Sequence, residues 1–221
     1  MSQQNYLKAT IDRPTLTAAL SIYFNEIRLA DLVFKYLGNP FISTWRISAD
    51  KMHVELPLDA DGSYDFVVEW GDGSVDHIIS PEQAAVKHTY TRVGDYTVAL
   101  NGLIQGFGFG GNENNSNKHP SSRQIIDVSQ WGSVLLSSKG FQFCYCKRLR
   151  ISATDTPDLT QVADMKYMFY HAELLHDAAF SDWDTSRVTN MKSMFDGAVR
   201  FNGDISRSIT QSFLYSLTLD T

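Results

Sequence analysis

The stretch VADMKYMF at residues 162–169 returns as VTNMKSMF at residues 188–195, an offset of 26 residues. Each copy sets apolar side chains at i, i+3 and i+6 or i+7, the stripe of a short helix. A unit this small cannot bury its own stripe, so it must stack on a copy of itself. The same offset before Phe169 lands on Phe143, and GFQFCYC at 140–146 reads as a degenerate first copy. Other columns agree. Leu149, Leu175 and Phe201 are large and apolar, Cys146, Ala172 and Ala198 are small, and Ala153 matches Ala179. Agreement in several independent columns makes the repeat a strong signal.

Read physically, each unit opens at a helix cap, Thr160 or Ser186. Asp158 and Asp184 lie just before it, where negative charge suits the helix dipole. The third helix runs through Val188, Met191, Met194 and Phe195, and Gly197 ends it in a left-handed conformation. Short extended pieces follow, at 149–153, 175–180 and 201–206. One or two helical turns plus a short strand per unit predict an α/β solenoid akin to leucine-rich repeats. Trp183 has no aromatic counterpart at Ile209, and Leu214 and Leu217 continue the pattern only weakly, so residues 207–221 read as a divergent cap or a shortened array.

The run WDTSRVTNMKSMFDGAVRFNGDIS at 183–206 resembles the repeat of BspA-family surface proteins, known also as a domain of unknown function in mycoplasma lipoproteins. IDVSQWG at 126–132 and ATDTPDL at 153–159 resemble the opening segment of that family. The resemblance implies a repetitive, non-catalytic surface or interaction protein and brings no catalytic residues with it. Relatives of this kind also occur in large DNA viruses and some protists.

Over 221 residues, 43% hydrophobic and 20% charged, the composition is that of a folded chain of one large or two modest domains. A net charge of −6 and a pI near 5.4 argue against nucleic acid as a partner, since phosphate binding wants a basic face. Cys144 and Cys146 are too close in sequence to pair, and Cys146 sits in an alanine column, so it reads as a small core residue. MSQQNYLK at 1–8 lacks the apolar centre of a secretory signal, and no run approaches a membrane-spanning length. The initiating Met argues for a natural start, which conflicts with the surface location the resemblance implies. Cytoplasmic and virion-associated placements therefore stay open beside the cell surface.

Residues 1–40 read as a helical segment. Thr15 follows Pro14 as cap, Leu16, Leu20, Phe24 and Ile27 form one stripe, and Leu29, Val33, Tyr36 and Leu37 form a second. Gly38-Asn39-Pro40 stops it. The segment packs on the next domain or docks a partner.

Over residues 41–105 the period changes to two. Residues 53–58, 64–70 and 94–100 alternate as strands, with turns at Asp61-Gly62 and Gly71-Asp72-Gly73. Short strands at this spacing suggest a β-sandwich. VEWGDGS at 68–74 and HTYTRVGDYTV at 88–98 resemble the PKD (polycystic kidney disease) domain, which implies an immunoglobulin-like sandwich used as a spacer or contact module. Trp70 suits its core, and His88 reads as a structural hydrogen-bonder, having no nucleophile in its motif. Asp59, Asp61, Asp65, Asp72 and Asp76 make the region acidic, but without EF-hand spacing they read as turn residues and not as a calcium site.

Residues 106–125 read as a linker loop. Gly106, Gly108 and Gly111 match a dinucleotide fingerprint in letters only, since Asn and Pro follow where a helix should begin. Phe107 and Phe109 are either exposed contact residues or tucked into a core, and Asn114-Asn115-Ser116 is a sequon only in a eukaryotic secretory route. No phosphate loop, nucleophile elbow, HExxH or CxxC pair is present, and the histidines at 53, 77, 88, 119, 171 and 176 are scattered.

The sequence thus predicts a mixed α and β chain: a helical segment over 1–40, a PKD-like sandwich over 41–105, a linker over 106–125 and an α/β solenoid over 126–221. It predicts no enzyme, no catalytic or metal residues and no cofactor. The expected function is binding or adhesion to a protein or glycan partner. A structural part in an assembly such as a virion is the alternative, and a calcium-dependent or carbohydrate-binding module the third reading.

Overall fold

A computed structural model of the chain describes residues 39–111, 118–176 and 180–203. Apart from Asn39 they belong to one unit, Pro40–Thr221. All but Asn39 and Pro40 of the helical segment expected over 1–40, the sequon at 114–116, Ala179 and the cap expected over 207–221 lie outside the described residues.

The fold begins with β1 (Phe41–Ile47), where period two is plain: Phe41, Ser43, Trp45 and Ile47 are buried and the residues between them are not. Ser43 is tolerated inside because its hydroxyl accepts the Trp45 indole N–H at 2.9 Å. Then come β2 (His53–Glu55), β3 (Leu58–Glu69), β4 (Val75–Ile78), β5 (Lys87–Thr89), β6 (Gly94–Phe107), β7 (Ile125–Gln130), β8 (Leu135–Leu136) and β9 (Arg150–Ile151). One seven-stranded sheet runs β4-β3-β6-β1-β7-β9, with β8 parallel to β6, and β2 pairs β5 in a two-stranded ladder. The β1, β3, β4 and β6 pairings are antiparallel, while β9 joins β7 in parallel.

This corrects the expected fold class. The described chain is nearly all β, and its helical residues are two three-residue 3-10 turns, Ala84–Val86 and Phe180–Asp182. In place of a sandwich of two comparable sheets, one sheet takes nearly every strand. Asp61 and Gly62 lie inside β3, at an irregularity in its pairing with β6, and not at a turn between strands. One hydrophobic cluster extends from Phe41 through Trp70 and Trp131 to Met194. The segment expected as a linker supplies Phe107 and Phe109 to that cluster, both buried.

The α/β solenoid is also overturned, and the hydrogen bonds give the reason. In the second unit, Met168, Tyr170 and Ala172 donate their N–H three residues back, to Met165, Tyr167 and Phe169. The residues between them donate instead to the third unit: Met165 to Asn190, Tyr167 to Lys192, Phe169 to Met194 and His171 to Asp196. The first unit repeats this toward the second, with Phe141, Phe143 and Tyr145 bonded to Lys166, Met168 and Tyr170. An apolar side chain every third residue therefore marks successive tight turns, each closed by an i to i+3 bond, and not an α-helix. Left-handed residues break any helix before it starts: Phe141, Tyr167 and Ser193 at one repeat position, Tyr145, His171 and Gly197 at another.

The expected helix caps play a different part. Asp158 and Asp184 accept the N–H of Thr160 and Ser186 at 2.9 and 3.0 Å, so the acid and not the hydroxyl closes each turn. The rings at 143, 169 and 195 do form a row, 5.8 and 5.7 Å between centroids and nearly parallel. Asp155 fixes the turn after β7 by accepting N–H bonds from Trp131 and Gly132.

Candidate functional site

Outside the core row, the repeat units carry a second set of stacked rings. Phe141 lies on Tyr167 at 5.0 Å and 15°, and Tyr145 lies on His171 at 5.3 Å and 17°. Tyr170 meets Tyr145, Tyr167 and His171 edge-on. Phe141, Cys144 and Tyr145 are buried within this cluster, while Tyr167, Tyr170 and His171 are partly open to solvent. Three lysines lie over the rings: Lys118 Nζ 4.2 Å from the Tyr145 centroid, Lys166 5.7 Å from Phe141 and Lys192 5.7 Å from Tyr167.

The backbone explains the arrangement. Phe141, Tyr145, Tyr167 and His171 are themselves the left-handed residues of their turns. That conformation costs a non-glycine residue about 1–3 kcal/mol. At the second of the two positions the third unit avoids the cost with Gly197, whose absent side chain leaves room for the His171 ring. Aromatic side chains at the other positions persist against backbone preference, and the stack they make is the compensation.

The face offers flat ring surfaces and ammonium groups and no poised nucleophile. Burial pushes the Cys144 thiol up to about 12 and Cys146 well above its ordinary range, so both stay protonated. Burial, then neighbouring Tyr170, pushes the Tyr145 phenol up to about 12.

Four of the five acids singled out in the sequence, with His77 and His88, are used locally. Asp61 pairs with Lys139, Asp65 accepts from His77 at 2.7 Å, and Asp76 takes the Trp70 indole N–H at 2.8 Å. Asp72 binds the Ser74 hydroxyl and His88, the latter at 2.9 Å. Burial alone would raise the Asp72 carboxyl, but the bonds from Ser74 and His88 outweigh it and hold it down to about 2. His88 also stacks on Trp70 at 4.7 Å, the structural role expected of it. Among the described residues no three potential metal ligands come together. No described helix is long and apolar enough to cross a membrane.

His119 packs edge-on against Phe109 at 5.4 Å, and its Nδ1 accepts the Ser121 N–H at 3.2 Å. Burial, with help from Lys51, pulls it down to about 4. Its folded pKa lies below the unfolded value, so its stabilisation is complete above about pH 6.5 and is lost as pH falls toward 4. Unfolding free energy should drop by about 1–3 kcal/mol across that window. His119→Gln, which still offers an acceptor to Ser121, should flatten the slope in urea titrations at stepped pH.

The sequence did not single out this face. It contains Phe141 and Tyr145 from the degenerate first copy and Tyr167 from the second, but spacing alone did not say which rings face outward. The signal was available in the columns 141/167 and 145/171, which are aromatic or imidazole in both of the first two units.

No curated protein and no solved structure matches the chain. The PKD resemblance of residues 68–74 and 88–98 is not shown by the family comparison. What that comparison does bear out is the repeat: residues 138–214, roughly a third of the chain, match the BspA-like family described as Mycoplasma protein of unknown function, DUF285.

Proposed function

We propose that this is a non-enzymatic binding or adhesion protein of the BspA-like surface type, and that the aromatic face of its repeat units contacts a protein or glycan. The observation that carries this reading is that Tyr167, Tyr170 and His171 open to solvent while stacked on the buried rings of Phe141 and Tyr145, with three lysines over the cluster. Large rings held rigidly supply contact area at low entropic cost, and are the residue types that dominate binding hot spots. Flat rings flanked by ammonium groups suit the C–H faces of sugars and the apolar and acidic side chains of peptides. A partner of repetitive structure could engage successive units at once, which multiplies weak contacts.

The experiment is retention on a printed oligosaccharide panel and on a panel of immobilised extracellular proteins. The wild-type chain should bind at least one member of either panel. Tyr167→Ala/Tyr170→Ala should weaken that binding by about tenfold or more, while its melting temperature stays within a few degrees, since both rings are partly exposed. Retention of neither panel, or equal retention by the double variant, would overturn the reading.

A further inference from the structure

The third repeat unit presents an edge of unused backbone donors. In the second unit Met165, Tyr167 and Phe169 donate their N–H groups to the carbonyls of Asn190, Lys192 and Met194. The same positions of the third unit are Met191, Ser193 and Phe195, and among the described residues their N–H groups meet no acceptor. The opposite end of the ladder is closed. There Phe109 donates to the Gln142 carbonyl at 2.8 Å, the place that Phe143 takes against Met168 one unit on. A backbone N–H without a partner is costly where water is excluded, and an open edge invites another strand.

The residues that follow carry the repeat onward. Residues 209–221 read ITQSFLYSLTLDT, where 183–195 read WDTSRVTNMKSMF. Leu214 falls in the column of Val162 and Val188, and Leu217 in that of Met165 and Met191, four residues that are all buried. The polar columns agree as well. Asp164 and Asn190 each close a turn by accepting the N–H two residues on, at 2.8 and 3.1 Å, and Ser216 stands in their column. Asp158 and Asp184 close the preceding turn in the same way, and Thr210 is their counterpart. Hydroxyl side chains make the same local bond. Phe213 stands in the column of Gln161 and Arg187, both exposed. The family match runs on to residue 214, past the third unit.

We propose that residues 209–221 close this edge as a fourth, partial unit, in which the carbonyls of Ser216, Thr218 and Asp220 accept the N–H groups of Met191, Ser193 and Phe195. These acceptors stand one repeat offset beyond Asn190, Lys192 and Met194. Thr221 falls in the column of Phe143, Phe169 and Phe195, and no ring is needed there, because Phe201 already lies on Phe195 at 3.9 Å and 2°. A second copy of the chain fits the edge less well. The carbonyl edge of its first unit is already met by Phe109, and two third-unit edges brought together would set donors against donors.

The test is amide hydrogen exchange of the full chain, read residue by residue by NMR. Met191, Ser193 and Phe195 should exchange as slowly as Tyr167 and Phe169 to within about tenfold, and should do so equally in dilute and concentrated protein. Leu214→Asp/Leu217→Asp, and a chain stopped after residue 208, should each speed exchange at those three amides by about tenfold or more. Phe143, Tyr167 and Phe169 should stay protected in both, which shows that the variants are folded. Phe213→Ala, at an outward column, should exchange as wild type does. Fast exchange at the three amides of the full chain would overturn the proposal, and so would protection that grows with protein concentration, the mark of a second copy. Protection that survives the double variant or the truncation, or equal loss in Phe213→Ala, would overturn it as well.

Discussion

Phe169→Ala should lower unfolding free energy by about 3–5 kcal/mol, the upper range for truncating a core ring, and should shift the whole transition together. Phe169 is fully buried at the centre of the row. Its ring stacks between Phe143 and Phe195, meets Phe180 edge-on at 5.3 Å and lies 6.2 Å from Trp183. Removing it leaves flat neighbours on two sides. They cannot close the gap without abandoning the backbone bonds that Phe143 donates to Met168 and Phe169 donates to Met194 across the units. Phe169→Leu refills part of the space and should recover about half of the loss.

The shape of the unfolding curve carries the second half of this prediction. The same hydrophobic cluster contains Trp45 and Trp70 at one end and Trp183 and Met194 at the other. Urea unfolding followed by tryptophan fluorescence and by far-ultraviolet circular dichroism should give coincident midpoints, both displaced in the variant. A curve in which only part of the tryptophan signal moves would mean that the repeat units unfold apart from the strands before them.

The sequence showed the repeat because its columns bury side chains and burial constrains residue type. Phe143, Phe169, Leu149, Leu175, Cys146 and Ala172 are all fully buried. It misled on the backbone because two different structures place a buried residue every third position. A helix does so through 3.6 residues per turn, and a succession of turns closed by i to i+3 bonds does so with a shorter period. The distinction rests on φ, and here the left-handed positions are held by Phe, Tyr, His and Ser, residues that give no warning of it. Only Gly197 announced its conformation, and it was read correctly as left-handed though it ends a turn and not a helix.

The aromatic face was half legible, because its rings recur at the repeat offset, but their outward direction follows from the same left-handed residues that the letters conceal. Strand periodicity around Trp70 was the most readable part, since the stretches expected as strands at 64–70 and 94–100 lie in β3 (but for Trp70) and β6, while β1 was not foreseen.

Trp70→Ala should cost about 3–5 kcal/mol, and Trp70→Phe about 1–2 kcal/mol, since the phenyl ring keeps most of the packing and loses one hydrogen bond. Trp70 is fully buried and ties three elements at once. Its indole N–H donates to Asp76 on β4, its ring stacks on His88 of β5, and its carbonyl accepts the Tyr90 hydroxyl at 3.0 Å. Its own N–H, bonded to the Ser74 carbonyl at 3.1 Å, closes the turn that runs through the left-handed Gly71 and Gly73. Two of these four ties use the backbone and survive truncation, so the alanine variant isolates the ring and the indole bond. The loss of His88 stacking also frees the imidazole that holds Asp72, which couples the turn to the core. Urea titration reading the three remaining tryptophans measures both variants. A cost below about 1 kcal/mol for the alanine variant, the size of an ordinary surface change, would mean that Trp70 is not the centre of this end of the core.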